Sequence, residues 1–398
     1  MITVEEADKI IQSQLKDFGT ELILFENALG RVLAEDVFAD RDLPPYNRST
    51  LDGIAIKYNS FEKGIRSFIV KATQAAGDVP IEINNENECI EIMTGSALPN
   101  YTDTVIGYED VEIQDRTAFI RKEFINSRQG VHEKGKDKLK NELVAKKNRI
   151  ITPALISIAA SVGKSELLVK KLPNVVVISS GDELVNVDTM PSPFQIRRSN
   201  NYMITAGLKK YLVNADMLHI PDDPEITKQK INECLQKYDV IILSGGISMG
   251  KFDFIPKALE ELSVHKLLHK VQQKPGKPFW FGSHDKGTVV FALPGNPVST
   301  FLCLYRYVFP WLRASLGLDF TEMKYAILAA DFSFKPALQY FLQVKLVLSN
   351  EGHLLAKPVE GNGSGDFANL LDADAFMELP LEQNNFTKGE VFRIWPFN

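Results

Sequence analysis

The spacing of hydrophobic and polar residues divides the chain into segments of different character. Between residues 53 and 124, short apolar runs alternate with polar positions, a pattern typical of strands on a half-buried sheet. From residue 174 onwards, apolar runs of five or six residues each end in a turn and are followed by a helical stretch. Beyond about residue 320 the helical signal fades and short strand-like runs return. The pattern predicts a β unit, then an α/β domain, then a small all-β domain.

The strand predictions are specific. In the first β unit we expect antiparallel strands at residues 54–57, 68–71, 104–108 and 118–121. In the α/β domain we expect strands at 175–179, 215–220, 240–244 and 288–293. Because strands alternate with helical stretches there, we predict a parallel, doubly wound sheet. In the tail we expect strands at 341–348, 376–379 and 391–394.

Two helices outside the α/β domain have clear boundary signals. Thr3 and Glu6 form a capping box, which predicts a helix from residue 4 towards Leu15. Thr152 suits an N-cap and Pro153 the first helical position, so a second helix is expected to begin there. This second helix is apolar on all sides, and we predict that it is buried between other elements.

Composition excludes several classes of protein. With 398 residues the chain is long enough for two to four domains, and its formal net charge of −6 argues against coating nucleic acid or anionic membrane. No apolar run approaches the roughly 20 residues that span a bilayer, and the acidic N-terminus does not resemble a secretory signal. The three cysteines have no metal-ligand spacing, so a reduced, cytoplasmic location is expected.

The turns that follow the predicted parallel strands carry an unusual set of residues. In a parallel sheet all carboxyl ends lie at one edge, so these turns should meet. Glycines let backbone amides approach phosphate, lysines supply positive charge, and carboxylates beside phosphates commonly hold Mg²⁺. The set predicts a metal-assisted reaction at a phosphate ester or anhydride. Its members are Gly181, Asp182, Glu183, Asp222, Asp223, Gly245, Gly246, Ser248, Asp253, Lys274, Lys277, Gly295 and Asn296.

Each of these motifs has a purely structural interpretation when it is taken alone. A Gly-Gly turn after a strand is most often a tight βα connection, and Asp182 or the Asp222–Asp223 pair could simply cap a helix. Other reaction classes lack their motifs: there is no Gly-x-Ser-x-Gly elbow, no His-Glu-x-x-His and no Walker lysine loop. His219, at a strand end next to Pro221, is the only histidine expected near this site, and we expect it to be packed or solvated rather than catalytic.

Nine stretches, in order along the chain, resemble the molybdopterin molybdenumtransferase family, the bacterial (MoeA-type) enzymes related to the C-terminal domain of gephyrin. They are residues 43–55, 93–99, 180–184, 199–200, 222–224, 244–250, 274–278, 293–299 and 363–365. The sequence departs from the usual family pattern at Asn47-Arg48 and at Lys136.

The resemblance implies a subunit of four parts. These are a helical linking domain (1–50 and 140–172), an inserted β domain (51–139), an α/β molybdopterin-binding domain (173–320) and a C-terminal β domain (321–398). It also implies a homodimer, with the α/β site of one subunit completed by N-terminal parts of the other. The implied reaction inserts molybdate into adenylylated molybdopterin with Mg²⁺ and releases AMP.

The resemblance also assigns roles to residues. Glu183, Asp222 and Asp253 would be catalytic carboxylates and candidate Mg²⁺ ligands, and Asp52 would reach in from its loop. Which of these carboxylates contact the metal stays open, as does the choice between molybdate and tungstate. The residues expected to bind substrate are Thr94, Gly95, Gly181, Asp182, Gly245, Gly246, Ser248, Gly250, Lys274, Lys277, Pro294, Gly295, Asn296 and Ser364.

Two alternatives to this function remain. A molybdopterin adenylyltransferase shares the α/β pattern, but the N-terminal motifs and the tail domain argue against it. A gephyrin-like scaffold without catalysis is the other, against which the complete acidic set argues. Release of AMP, and its near loss in Asp253→Ala, would distinguish the three.

Overall fold

A computed structural model describes residues 1–247, 254–319, 323–359, 361, 363 and 365–397. The N-terminal helix spans Val4–Gln12, and the predicted capping box is present: Glu6 N donates to Thr3 Oγ1 at 3.1 Å, and Thr3 N donates to Glu6 Oε2 at 2.8 Å. Its apolar face packs in the same core as the α/β sheet, so this helix is attached to that domain. No helix in the described ranges is long and apolar enough to cross a bilayer.

The region that links the N-terminal helix, the inserted domain and the α/β domain contains short two-stranded antiparallel pairs. Strand Thr20–Leu24 pairs antiparallel with Glu166–Lys170, and Val37–Phe38 pairs with Leu143–Ala145. Helix Pro153–Ser161 begins as predicted, with Leu155 N donating to Thr152 Oγ1 at 3.3 Å.

The predicted burial of this helix is wrong for the single chain. Leu155 and Ala159 are buried, but Ile158 is 38% exposed. The reason is that the helix packs on one side only, against the ribbon core that contains Leu167 and Val169.

The inserted domain is a six-stranded mixed sheet. Its strands, in spatial order, are Thr104–Gly107, Gly53–Ile56, Glu88–Ile92, Ser67–Gln74, Thr117–Ile120 and Val111–Gln114. The expected all-antiparallel arrangement is wrong at one place, because Ser67–Gln74 pairs parallel with Glu88–Ile92. The long connection over residues 75–87 provides the crossover that a parallel pair needs. A short helix, Tyr58–Glu62, completes this domain.

The α/β domain contains the predicted doubly wound sheet. Four parallel strands, Ala215–Ile220, Val175–Ser180, Val240–Ser244 and Val289–Leu293, lie in that spatial order. The sheet is mixed rather than all parallel, since Trp280–His284 and Val264–His269 add to it as antiparallel strands. Alternate residues of the parallel strands enter two separate cores, so both faces are covered.

Helices cover these two faces. One face carries Asn200–Lys209, Pro297–Cys303 and Phe309–Ser315, together with the N-terminal helix. The other face carries Pro224–Lys237 and Ile255–Glu261. A five-residue π-helical turn, Leu304–Val308, joins the helices Pro297–Cys303 and Phe309–Ser315.

The C-terminal domain is a closed five-stranded barrel. Strand Gln339–Leu348 pairs with Leu354–Pro358 on one side and Ala375–Leu379 on the other, and Lys324–Leu328 and Val391–Pro396 complete the ring. Gln273–Lys274 of the α/β domain pairs parallel with the start of the long strand. The Lys274–Pro278 turn is therefore attached to both domains. Short pairs also form between Arg48–Ser49 and Val131–His132, Leu184–Val185 and Ile196–Arg197, and Phe332–Ser333 and Asn385–Phe386.

Candidate active site

The floor of the site is made by glycines at the ends of two neighbouring strands. Ser244 and Leu293 are in register, so the turns that follow them lie side by side, and Gly245 N donates to Leu293 O at 3.2 Å. A Cβ at Gly295 would lie 3.6 Å from the Cα of Gly245. Gly246 has a φ of +67°, and a Cβ there would lie 2.6 Å from Ile255 Cδ1. Larger residues would fill this floor, where an anion could otherwise approach the backbone.

The acidic wall is the turn that follows strand Val175–Ser180. The Glu183 carboxylate folds back over Gly181, whose φ is +133°. Asp222 N donates to Asp182 Oδ1 at 3.1 Å, and Ser180 Oγ lies 3.4 Å from Asp222 Oδ1. Glu183 and Asp222 therefore lie at the same edge of the sheet, as expected.

Helix capping accounts for a different aspartate. Asp223 is the N-cap of helix Pro224–Lys237 and accepts from Ile226 N at 2.8 Å. Asp222 and Asp182 cap none of the helices in the described residues, so a capping role does not explain them.

The cationic wall is the turn that contains Lys274 and Lys277, both of which are exposed. Lys274 Nζ lies 5.6 Å from the centroid of the Phe334 ring, which belongs to the C-terminal domain. A cavity of about 530 Å³ lies between this turn and the glycine floor, and its lining includes Glu183, Gly245 and Pro294. Opposite charges therefore face one cavity.

A second cavity, of about 290 Å³, continues from the first. The two share five lining residues, which are Ser180, Glu183, Gly245, Gly295 and Asn296. Together they form one cleft along the carboxyl edge of the sheet, the position at which open α/β sheets bind ligands.

The residues of the second cavity that were not predicted for the site include Arg197, Arg198 and Asn200. Asn200 Nδ2 donates to Ser244 Oγ at 2.9 Å and to Gly295 O at 2.8 Å, so it ties together three turns of the cleft. Asn200 is the first residue of helix Asn200–Lys209, whose N-terminus favours anions. The Arg-Arg-Ser-Asn run before this helix is the feature of the sequence from which these site residues could have been predicted.

His219 lies beside the acidic turn but is packed, as expected. Its Nδ1 lies 3.1 Å from Ser179 Oγ, and the ring is half-buried. Burial lowers the pKa of His219, and the nearby Arg198 guanidinium lowers it further.

Asp52 and Thr94 form a separate cluster in the inserted domain. Asp52 Oδ1 accepts from Thr94 N at 2.6 Å and from Thr94 Oγ1 at 2.7 Å, and these bonds lower the pKa of Asp52. Gly95 N donates to Ser49 O at 2.9 Å in the same region. No residue of the inserted domain lines either cleft cavity among the described residues of this one chain. Ser248, Gly250, Asp253 and Ser364, also predicted for the site, lie outside the described residues.

Three family models match successive parts of the chain. Residues 2–163 match the MoeA N-terminal region (domain I and II), residues 176–314 match a probable molybdopterin binding domain, and residues 325–397 match the MoeA C-terminal region (domain IV).

Several known proteins are similar to this chain over nearly its whole length. A molybdopterin molybdenumtransferase of Synechocystis sp. is 39% identical over 99% of this chain and all of its own length. One from Staphylococcus aureus is 30% identical, over 99% of this chain and 95% of that protein. The solved molybdopterin biosynthesis MoeA protein from Pyrococcus horikoshii superposes with a TM-score of 0.84 at 30% identity, covering 100% of this chain and 99% of that one. The chain therefore belongs to the molybdopterin molybdenumtransferase family, enzymes of molybdenum cofactor biosynthesis.

Proposed function

We propose that this chain inserts molybdate into adenylylated molybdopterin, with cleavage of the adenylate and release of AMP. The observation that carries the proposal is the cleft itself. Its glycine floor lies between the acidic turn, which carries Glu183 and is joined to Asp222 through Asp182, and the cationic turn with Lys274 and Lys277. Molybdate and the adenylate phosphates are both tetrahedral anions that lysines and backbone amides can bind.

The donors in the cleft suit Mg²⁺. Glu183 and Asp182 are exposed carboxylates on one turn, and Asp222 adjoins it through the Asp182 contact. No group of three His, Cys, Asp or Glu side chains within the described ranges forms a complete metal cage. Mg²⁺ normally takes one or two carboxylates, keeps several waters and completes its shell with substrate phosphates. Bound there, it would neutralise charge on the adenylate phosphates.

Residues of the chain would bind the anions and orient the attacking group. Lys274 and Lys277 would hold molybdate, and the amides near Gly245 and Gly295 would hold phosphate. A cleft carboxylate not engaged with metal would orient the attacking group.

We also propose a homodimer in which Asp52 and Thr94 of one subunit complete the cleft of the other. The support is that this cluster is exposed and preorganised but lines no cavity of its own chain's cleft in the described residues. A cytoplasmic location is proposed from the three buried thiols, none of which forms a disulfide.

The test supplies adenylylated molybdopterin, molybdate and Mg²⁺ and measures AMP and cofactor together. We expect Glu183→Gln, Asp222→Asn and Asp253→Ala each to lower both products about 100-fold or more. Asp223→Ser is the matched control, since it removes a neighbouring charge but keeps an N-cap oxygen, and it should remain active.

Two other results would contradict the proposal and favour a different function. Formation of adenylylated molybdopterin from ATP would identify an adenylyltransferase. A folded chain with neither activity would identify a scaffold.

A further inference from the structure

The lysine turn of the cleft is fixed from beneath by a buried side chain. Gln273, immediately before Lys274, is fully buried. Its Oε1 accepts a short hydrogen bond from the Tyr307 hydroxyl, and its Nε2 faces Gly276 O at 3.4 Å and Cys303 Sγ at 3.8 Å. One amide thus links the turn to the helix that packs below it.

Gly276 makes this close packing possible. Its φ is +86°, and a Cβ at this position would lie 2.7 Å from Gln273 Nε2 and 2.9 Å from Cys303 Sγ. Val271 N donates to Lys277 O at 3.0 Å and closes the base of the turn. The backbone that carries both lysines therefore rests directly on the Gln273 side chain.

Tyr307 belongs to the π-helical turn Leu304–Val308. Single π-helical turns inside α-helices are rare and often occur at functional sites. Tyr307 is 1% exposed, its ring stacks on Phe279 with centroids 4.8 Å apart, and burial raises the pKa of its phenol, so it is a permanent donor.

The residue before Tyr307 in the same turn, Arg306, connects three parts of the subunit. Arg306, 1% exposed, forms two 2.6 Å hydrogen bonds with Asp8 of the N-terminal helix and lies 3.7 Å from Glu378 of the barrel. Glu378 Oε1 in turn accepts from Gln339 Nε2 at 2.5 Å, and Gln339 pairs with Gln273 across the domain boundary. The position of the barrel is thus linked to that of the lysine turn.

We propose that Tyr307 and Gln273 are positioning residues that hold Lys274 and Lys277 in the geometry needed to bind the oxyanion substrate. The inference rests on the proposed function, which assigns those lysines to the anion. A net hydrogen bond of about 0.5–1.5 kcal/mol corresponds to roughly a two- to tenfold change in binding.

The test compares Tyr307→Phe with Tyr305→Phe. Both lose a hydroxyl from the same π-helical turn, but Tyr305 OH donates to Phe397 O at 3.1 Å, at the C-terminus and outside the cleft lining. We expect Tyr307→Phe to raise the KM for molybdate about two- to tenfold with a smaller change in kcat, and Tyr305→Phe to leave both unchanged. Gln273→Leu should have an effect like that of Tyr307→Phe, and the double variant should be no worse than the more affected single one.

A second measurement does not depend on activity. Hydrogen exchange of the peptide covering residues 271–279 should be faster in Tyr307→Phe and unchanged in Tyr305→Phe. Equal exchange and equal KM in the two variants would overturn the inference. If instead Lys274→Ala leaves the KM for molybdate unchanged while exchange still responds to Tyr307→Phe, the lysine assignment in the proposed function is wrong, and the turn is held for another ligand.

Discussion

The Glu183 carboxylate lies directly over the Cα of Gly181. A Cβ built at Gly181 would be 2.7 Å from Glu183 Oε1 and 2.8 Å from its Cδ. The contact shows why the acidic turn has glycine at this position. With φ at +133° and no side chain, Gly181 leaves the space into which the carboxylate folds.

Gly181→Ala should therefore reduce activity by moving Glu183. We expect AMP release to fall about tenfold or more, because misplacing a catalytic group by about 1 Å can cost 100-fold. Gly352→Ala is the matched control: Gly352 also has a positive φ, +82°, but nothing lies within 4 Å of its Cβ position. The control should lower the melting temperature slightly and retain activity, and an equal loss of activity in both variants would contradict the assignment.

Mixing two inactive variants tests whether Asp52 acts across a dimer interface. Chains carrying Asp52→Asn and chains carrying Glu183→Gln, unfolded together and refolded at equal amounts, should regain about a quarter of wild-type activity. Half of the dimers would be mixed, and each would have one intact site. A mixture of Glu183→Gln with Asp222→Asn damages every cleft and should regain nothing. No recovery in the first mixture would place Asp52 in its own chain's site or outside any site.

The buried Asp8–Arg306 pair should dominate the attachment of the N-terminal helix. Asp8→Ala leaves a guanidinium that is 1% exposed without its main partner, and removing one partner of a buried pair typically costs about 3–5 kcal/mol. We expect a clear drop in the thermal midpoint. Glu5→Ala on the same helix breaks an exposed pair with Lys9 and should change the midpoint little. Similar midpoints for both variants would show that the buried pair is not needed.

His219 should make stability dependent on pH on the acidic side. Its pKa is lowered by burial, so the unfolded chain takes up a proton at a higher pH than the folded chain. Stability is then lost as the pH falls below about 6.5, and it is recovered as the pH rises. We expect His219→Gln to flatten the melting temperature between about pH 5 and pH 7, whereas the exposed His353→Gln should not. Burial also lowers the pKa of His269, so His269 makes stability depend on pH in the same direction. Both variants retain His269, and its contribution is therefore the same in each.

Elements with strong local signals were predictable from the sequence. The capping box at Thr3 and Glu6 and the N-cap at Thr152 set two helix starts correctly, because capping depends on residues within one turn. The strands beginning at Val175 and Val240 were also found, since apolar runs between turn residues have few other interpretations.

Long-range pairing was not predictable in the same way. The parallel partner of strand Ser67–Gln74 and the antiparallel strands added to the α/β sheet depend on which segments meet, and short alternating runs do not specify this. Likewise, the apolar helix Pro153–Ser161 has one exposed face because burial depends on what packs against it.

By itself, the sequence determined the chemistry of the cleft: which turns carry glycine, carboxylate and lysine, and that a parallel sheet would bring their ends to one edge. Only the tertiary structure decided that Asp223 is a cap while Asp222 is not, that Asn200 ties the turns together, and that Gln273 and Tyr307 support the lysine turn. The physical reason is the sequence distance over which each property is set. Residue type and turn position are local properties, whereas a hydrogen bond between side chains 34 residues apart exists only once helix, turn and barrel have packed together.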